Sequence, residues 1–208
     1  MTAKLIYGFD PLCGWCFGFG PALGQIRTEL TDLPIVLRMG GLVTRDRIGP
    51  YAEGAAYIEN ASARMKAVTG VSLGAAFHAR ILGDPTVISS SIPPCDAILQ
   101  VRASHPAHEL DFAIAIQRAH FTDGRDLNDP ETYADVAERL GLYLNIVLPD
   151  PKVETPALAK EFRESRRLGL TSFPSLRLDV EGRIEGVDVS YDPGAMVALI
   201  RDALARHR

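Results

Sequence analysis

The chain has 208 residues, 47% of them hydrophobic and 23% charged, enough apolar side chains to bury a sizeable core. Its formal net charge is −4 and no Lys/Arg cluster stands out against that total, so it lacks the electrostatic footprint of a nucleic-acid binder. No run approaches the roughly 18 apolar residues of a membrane span, and the apolar stretch around Leu5, Ile6 and Tyr7 is too short for the core of a secretion signal; the expected location is a reducing cytoplasm.

Leu5, Ile6, Tyr7 and Phe9 form a short apolar run stopped by Asp10 and Pro11, the pattern of a buried strand entering a loop. From Cys13 the periodicity turns helical, with Leu23, Ile26 and Leu30 on one face, while Gly18, Gly20 and Pro21 predict a kink. Pro34 to Met39 supplies a second β-branched run, so the N-terminal part reads as strand, helix, strand, the size of a parallel βαβ crossover. The middle is almost wholly helical in pattern. Spacing predicts helices over 51–68, 73–81, 97–104, 107–121, 129–140 and 155–168, the last two opened by Asp129-Pro130 and Thr155-Pro156 and closed by Gly141 and Gly169. Ser175 to Val180 then alternates apolar and polar residues, and Glu181-Gly182 turns the chain into RIEGVDV, the second arm of a hairpin. Asp192-Pro193 opens a terminal helix with Met196, Ile200 and Leu204 on one face. With no internal repeat, the expected organisation is an α/β domain made of residues 1–42 and 150–208, interrupted by a helical domain over 43–149. Gly40-Gly41 and Asp150-Pro151 are the expected crossing points.

Two of the three cysteines, Cys13 and Cys16, stand two residues apart at the start of the first helix. A helix start stabilises a thiolate through unpaired N–H groups and the positive end of the dipole, and positions i and i+3 share a face, so the second sulfur can attack a mixed disulfide formed by the first. This placement favours a redox dithiol over a metal pair or plain packing, with Cys13 as the exposed attacker and Cys16 as the shielded resolving thiol. Asp10 works against the thiolate, and Gly14 and Trp15 add no charge. Zinc wants four ligands, and beyond the pair the chain offers Cys95 and five scattered histidines, of which His105 and His108 read as surface residues. Cys95 opens an apolar helix and reads as a small core residue; no metal site is expected. Phe173-Pro174 precedes the hairpin strand and would face the dithiol helix, where a cis bond turns backbone N–H and C=O groups toward an extended substrate.

The strand KLIYGFDP, the motif Cys13-Gly14-Trp15-Cys16, the second strand PIVLRMGG, the helical middle and GLTSFPSLRL, with Pro174 in the cis-proline place, together resemble the thioredoxin superfamily. Within it the chain is similar to the DsbA-like thiol-disulfide oxidoreductases with a helical insertion, including the polyketide-associated oxidoreductase subgroup. The resemblance implies an α/β, thioredoxin-like fold with an inserted all-helical domain. It also implies a nucleophile at Cys13, a resolving thiol at Cys16, and a substrate groove at Gly14, Trp15, Phe173 and Pro174. No cofactor is implied, and the expected partners are disulfide-containing proteins or small thiols, glutathione among them. Strongly oxidising members carry a histidine between the cysteines, where this chain has Gly14-Trp15; many relatives have valine or threonine where it has Phe173. Potent oxidase activity and substrate preference therefore do not carry over. Two alternatives stay open. One is a glutathione-dependent transferase or isomerase of the kappa-class type, which typically has serine in the place of Cys13. The other is a non-catalytic metal- or partner-binding module.

Overall fold

The computed structural model describes residues 2–207. Strand β1 (Ala3–Phe9) is buried from Leu5 to Phe9 and lies inside a four-stranded sheet of order β2-β1-β5-β6. Helices α1 (Gly14–Gly18) and α2 (Gly20–Glu29) carry the chain across to β2 (Ile35–Met39), which runs parallel to β1 with Leu5 opposite Ile35 and Phe9 opposite Met39. Strand β5 (Ser175–Val180) pairs antiparallel with β1, and β6 (Arg183–Val187) closes the hairpin. Its two-residue turn sets Glu181 at φ 53° and Gly182 at φ 86°, the left-handed pair that matches the twist of a tight hairpin. The terminal helix α9 (Pro193–Ala205), capped by Asp192, packs on α2 and buries Met196, Val197, Ile200 and Ala203.

Edge strand β2 is covered by side chains rather than by another strand. Its outward-facing groups are taken by helix α5 (Ile92–Ser104) and helix α8 (Pro156–Arg167). Glu161 accepts the Met39 N–H at 3.1 Å, Ser165 donates to the Met39 carbonyl at 2.7 Å, and Arg102 donates to the Leu37 carbonyl at 3.0 Å. Arg102 also holds Glu161 with two nitrogens, at 2.7 and 3.1 Å. An unpaired edge is thereby satisfied and closed to other chains.

Between β2 and α8 the regular elements are helices, apart from one two-residue ladder, β3 (Gly49–Pro50) with β4 (Ile88–Ser89). A 3₁₀ turn, Tyr51–Gly54, precedes α3 (Ala55–Thr69), and α4 (Ala75–Phe77) runs on as a π-helical turn through Leu82. Helix α5 starts at Ile92, five residues before the sequence spacing predicts. Pro93 and Pro94 fall in its first turn, where the N–H groups have no intrahelical acceptors, so prolines there lose nothing. Helices α6 (Glu109–Phe121) and α7 (Pro130–Arg139) follow, and Gly141 (φ 68°) and Gly169 (φ 71°) leave α7 and α8 in the left-handed conformation.

A single buried cluster joins Leu5, Leu37 and Leu178 of the sheet to Ile98, Phe112, Ile116, Tyr133 and Leu158 of α5 to α8. A second, smaller one holds Tyr51, Phe77, Ile81, Leu82, Val87 and Phe121. Residues 43–149 thus feed both cores. No described helix is long and apolar enough to cross a membrane.

Candidate active site

Cys13 occupies the N-cap of α1 with extended backbone (φ −81°, ψ 105°), and its Sγ accepts the Cys16 N–H at 3.3 Å. The cap position, filled in most helices by a Ser or Asp oxygen, is here filled by sulfur. From the opposite side the Cys13 thiol donates to the Phe173 carbonyl at 3.2 Å, so the two distant motifs meet at one atom. The Phe173–Pro174 bond is cis. All three cysteines are unpaired.

Neither sulfur of the pair lies in the open. Cys13 is 5% exposed and Cys16 2%, which corrects the expectation of an exposed attacker. Helix α3 packs directly on α1, where a Cβ at Gly18 would stand 2.8 Å from Met65 Cγ, and the Phe173 carbonyl meets Cys13 from the other side. Cys13 is reached instead through an apolar cavity of about 220 Å³, which it lines together with Gly14, Trp15, Tyr51, Met65, Phe77 and Phe173. Pro174 is buried and does not line it. Trp15 packs against Tyr191 in a tilted arrangement with ring centroids 5.3 Å apart.

Burial pushes the Cys16 thiol well up from its ordinary value, helped by its hydrogen bond to Cys13, the charge of Cys13 and the charge of Asp10. Cys95, fully buried in α5, is also pushed up, chiefly by burial. Asp10 is completely buried. Its carboxylate accepts the N–H groups of Leu12 (3.0 Å) and Leu42 (2.7 Å) and the hydroxyl of Ser91 (2.9 Å). Burial outweighs these bonds and raises Asp10 to about 6. The residue therefore ties together the loop before the dithiol, the loop after β2 and the start of α5.

Two positioning features escaped the sequence reading. Gln117, buried in α6, turns its amide toward the carbonyls of Asp10, Pro11 and Cys13 at 3.3, 3.4 and 3.3 Å. The one signal was a glutamine inside the apolar run AIAIQRAHF. Gly40 leaves room for the Phe173 ring, which a Cβ there would overlap. His105 and His108 lie at the surface end of α5, and the described residues contain no group of three or more His, Cys, Asp or Glu side chains that could hold a metal ion.

A dithiol at the first helix after β1, facing a proline loop before an antiparallel hairpin, with helices inserted beyond β2, defines the thioredoxin fold in its inserted form. Among solved structures the chain is similar to the cytosolic disulfide reductase DsbM from Pseudomonas aeruginosa, with 27% identity, 97% of this chain and 98% of that one covered, and a TM-score of 0.81. The same protein with GSH gives 27% identity, 97% and 99% coverage and a TM-score of 0.79. A candidate protein disulfide isomerase from Nitrosomonas europaea, 22% identical over the whole of both chains with a TM-score of 0.79, shares the fold. No family model and no curated protein sequence matches the chain. These likenesses support a DsbA-like protein with thiol-disulfide oxidoreductase activity.

Proposed function

We propose that the chain reduces disulfides through the Cys13–Cys16 couple in a reducing cytoplasm, with a small thiol of the glutathione type as reductant. The observation that carries this reading is the position of the Cys13 sulfur. It takes an amide N–H from the turn of α1, touches the Phe173 carbonyl and borders a cavity, while Cys16 is held as a thiol one turn inside. The likeness to DsbM, a cytosolic disulfide reductase also solved with GSH, supports both the direction and the reductant. In this reading Gly14, Trp15, Phe173 and Pro174 shape the substrate groove.

The Cys13 thiolate attacks one sulfur of the substrate disulfide, that S–S bond breaks, and the leaving thiolate takes up a proton. Cys16 then loses its proton and attacks the Cys13 sulfur, releasing the second half of the substrate as a thiol and leaving a Cys13–Cys16 disulfide. Two electrons have passed to the substrate. Two molecules of small thiol restore the dithiol and leave as their own disulfide.

Non-reducing mass spectrometry after exposure to oxidised glutathione tests the order of events. Cys16→Ser accumulates a one-to-one adduct because no thiol remains to release it, and Cys13→Ser accumulates little. Equal adduct on the two variants would erase the assigned roles. Glutathione transfer to a non-disulfide acceptor that survives Cys16→Ser would favour the transferase alternative.

A further inference from the structure

A second cavity of about 350 Å³ adjoins the apolar one, with Phe173 and Leu42 lining both. Its character is opposite. It holds three guanidinium groups, Arg45, Arg47 and Arg166, against two carboxylates, Asp46 and Glu154. Arg45 pairs with Glu154 at 3.4 Å and Arg47 donates to the Leu42 carbonyl at 2.9 Å. Arg166 and Asp46 have no side-chain partner among the described residues, so one cationic and one anionic group face the space uncommitted. The apolar cavity, in contrast, is walled by the inner side of α3, where Ile58, Ala61 and Met65 stand beside Tyr57, itself 72% exposed at the rim.

Resting on the thiol-exchange reading above, we propose that the substrate is an unsymmetrical disulfide. One arm is a small peptide thiol carrying two carboxylates and an ammonium group, as glutathione does, and it lies in the arginine cavity. The other arm is apolar and lies against α3. A ligand with two negative groups and one positive group complements a wall with an excess of one guanidinium and a free carboxylate for the ammonium. Arg166 is the group assigned to a ligand carboxylate, because guanidinium forks match carboxylate geometry. An apolar arm loses its water-exposed surface in the cavity under α3, which a second charged arm could not do without cost. The chemistry is the exchange already written: the peptide thiol leaves as one thiol, the apolar partner as the other, and Cys13 and Cys16 supply the two electrons.

Three disulfides separate this proposal from the reading beneath it: oxidised glutathione, the mixed disulfide of glutathione with benzyl thiol, and bis(2-hydroxyethyl) disulfide. The expected order of kcat/KM puts the benzyl mixed disulfide first, by about tenfold over oxidised glutathione. In Arg45→Ala/Arg166→Ala the ratio of oxidised glutathione to hydroxyethyl disulfide turnover falls about tenfold, as loss of a charged hydrogen bond predicts. In Ala61→Trp, which fills the apolar cavity, the advantage of the benzyl compound over oxidised glutathione disappears. Arg45 and Arg166 are surface side chains, and Ala61 sits on a helix that buries only Met65, so the variants test recognition rather than folding. Equal kcat/KM for the three disulfides, or variants that leave both ratios where they are, would overturn the proposal while leaving the exchange intact. A Cys13→Ser protein as active as the native one would instead remove the exchange reading itself.

Discussion

Asp10 offers a quantitative test of how this site is held. Its carboxyl group is fully buried, and its value rises from 3.8 to about 6 because burial outweighs three hydrogen bonds to the charged form. The unfolded chain releases this proton near pH 4 and the folded protein near pH 6. The folded state therefore gains from Asp10 below about pH 4, and loses that gain as pH rises through about 6. A difference of roughly two units corresponds to about 2–3 kcal/mol. Urea unfolding of the native protein and of Asp10→Asn, from about pH 4 to about pH 7, reads the effect directly. The other carboxylates are common to both proteins and cancel in the difference. The native protein should fall relative to the variant by about 2–3 kcal/mol across that window. Parallel profiles would refute the argument, and a relative rise would show that the bonds to Leu12, Leu42 and Ser91 outweigh burial.

The same substitution removes a negative charge that raises the Cys16 thiol, so release of a glutathione adduct from Cys13 should be faster in Asp10→Asn near neutral pH, as followed by stopped-flow. Gly40→Ala forces the Phe173 ring to move, and the expected results are a loss of about 1–3 kcal/mol in unfolding free energy and a raised KM for disulfide substrates. Glu161→Ala leaves the Met39 N–H without its acceptor and Arg102 with Glu109 as its remaining carboxylate, and denaturant titration should show a loss of about 1–3 kcal/mol. Cys95→Ser puts a hydroxyl into the core at a cost of about 1–3 kcal/mol, yet should keep most of the disulfide reductase rate; a loss equal to that of Cys13→Ser would place Cys95 in the cycle.

The elements that position the dithiol were legible because local chemistry dictates them. Asp10-Pro11 ends β1, and Asp129, Thr155 and Asp192 cap their helices through side-chain oxygens. Glu181-Gly182 takes the left-handed turn that a two-residue hairpin needs. The errors share a cause in tertiary packing. The start of α5 lies at Ile92 rather than at 97 because its first turn, with Pro93 and Pro94, is buried in the core, which the spacing of apolar residues does not show. The charges that close the edge of β2 were invisible, since Arg102, Glu161 and Ser165 lie far from Leu37 and Met39 in sequence and meet them only after folding. Gln117 belongs to the same class: no spacing links α6 to the carbonyls of Asp10 and Cys13.

The division of labour between the cysteines also needs a different physical basis from the one the sequence suggests. Exposure does not separate them, at 5% and 2%. Their surroundings do. Cys13 borders the apolar cavity under α3, whereas Cys16 borders another cavity of about 330 Å³ walled by Tyr7, Phe9, Leu23 and Gln117. In the proposed cycle a substrate disulfide enters the cavity that Trp15 and Phe173 line and meets Cys13 first. Burial raises the Cys16 thiol, so in that cycle it keeps its proton until a mixed disulfide has formed on its neighbour. At that point the Cys13 charge, one of the causes that hold the Cys16 thiol up, is gone, and its ionisation becomes easier at the step where a nucleophile is needed. Access from one side and a proton lost only after attack from that side together support the proposed order, Cys13 first and Cys16 second.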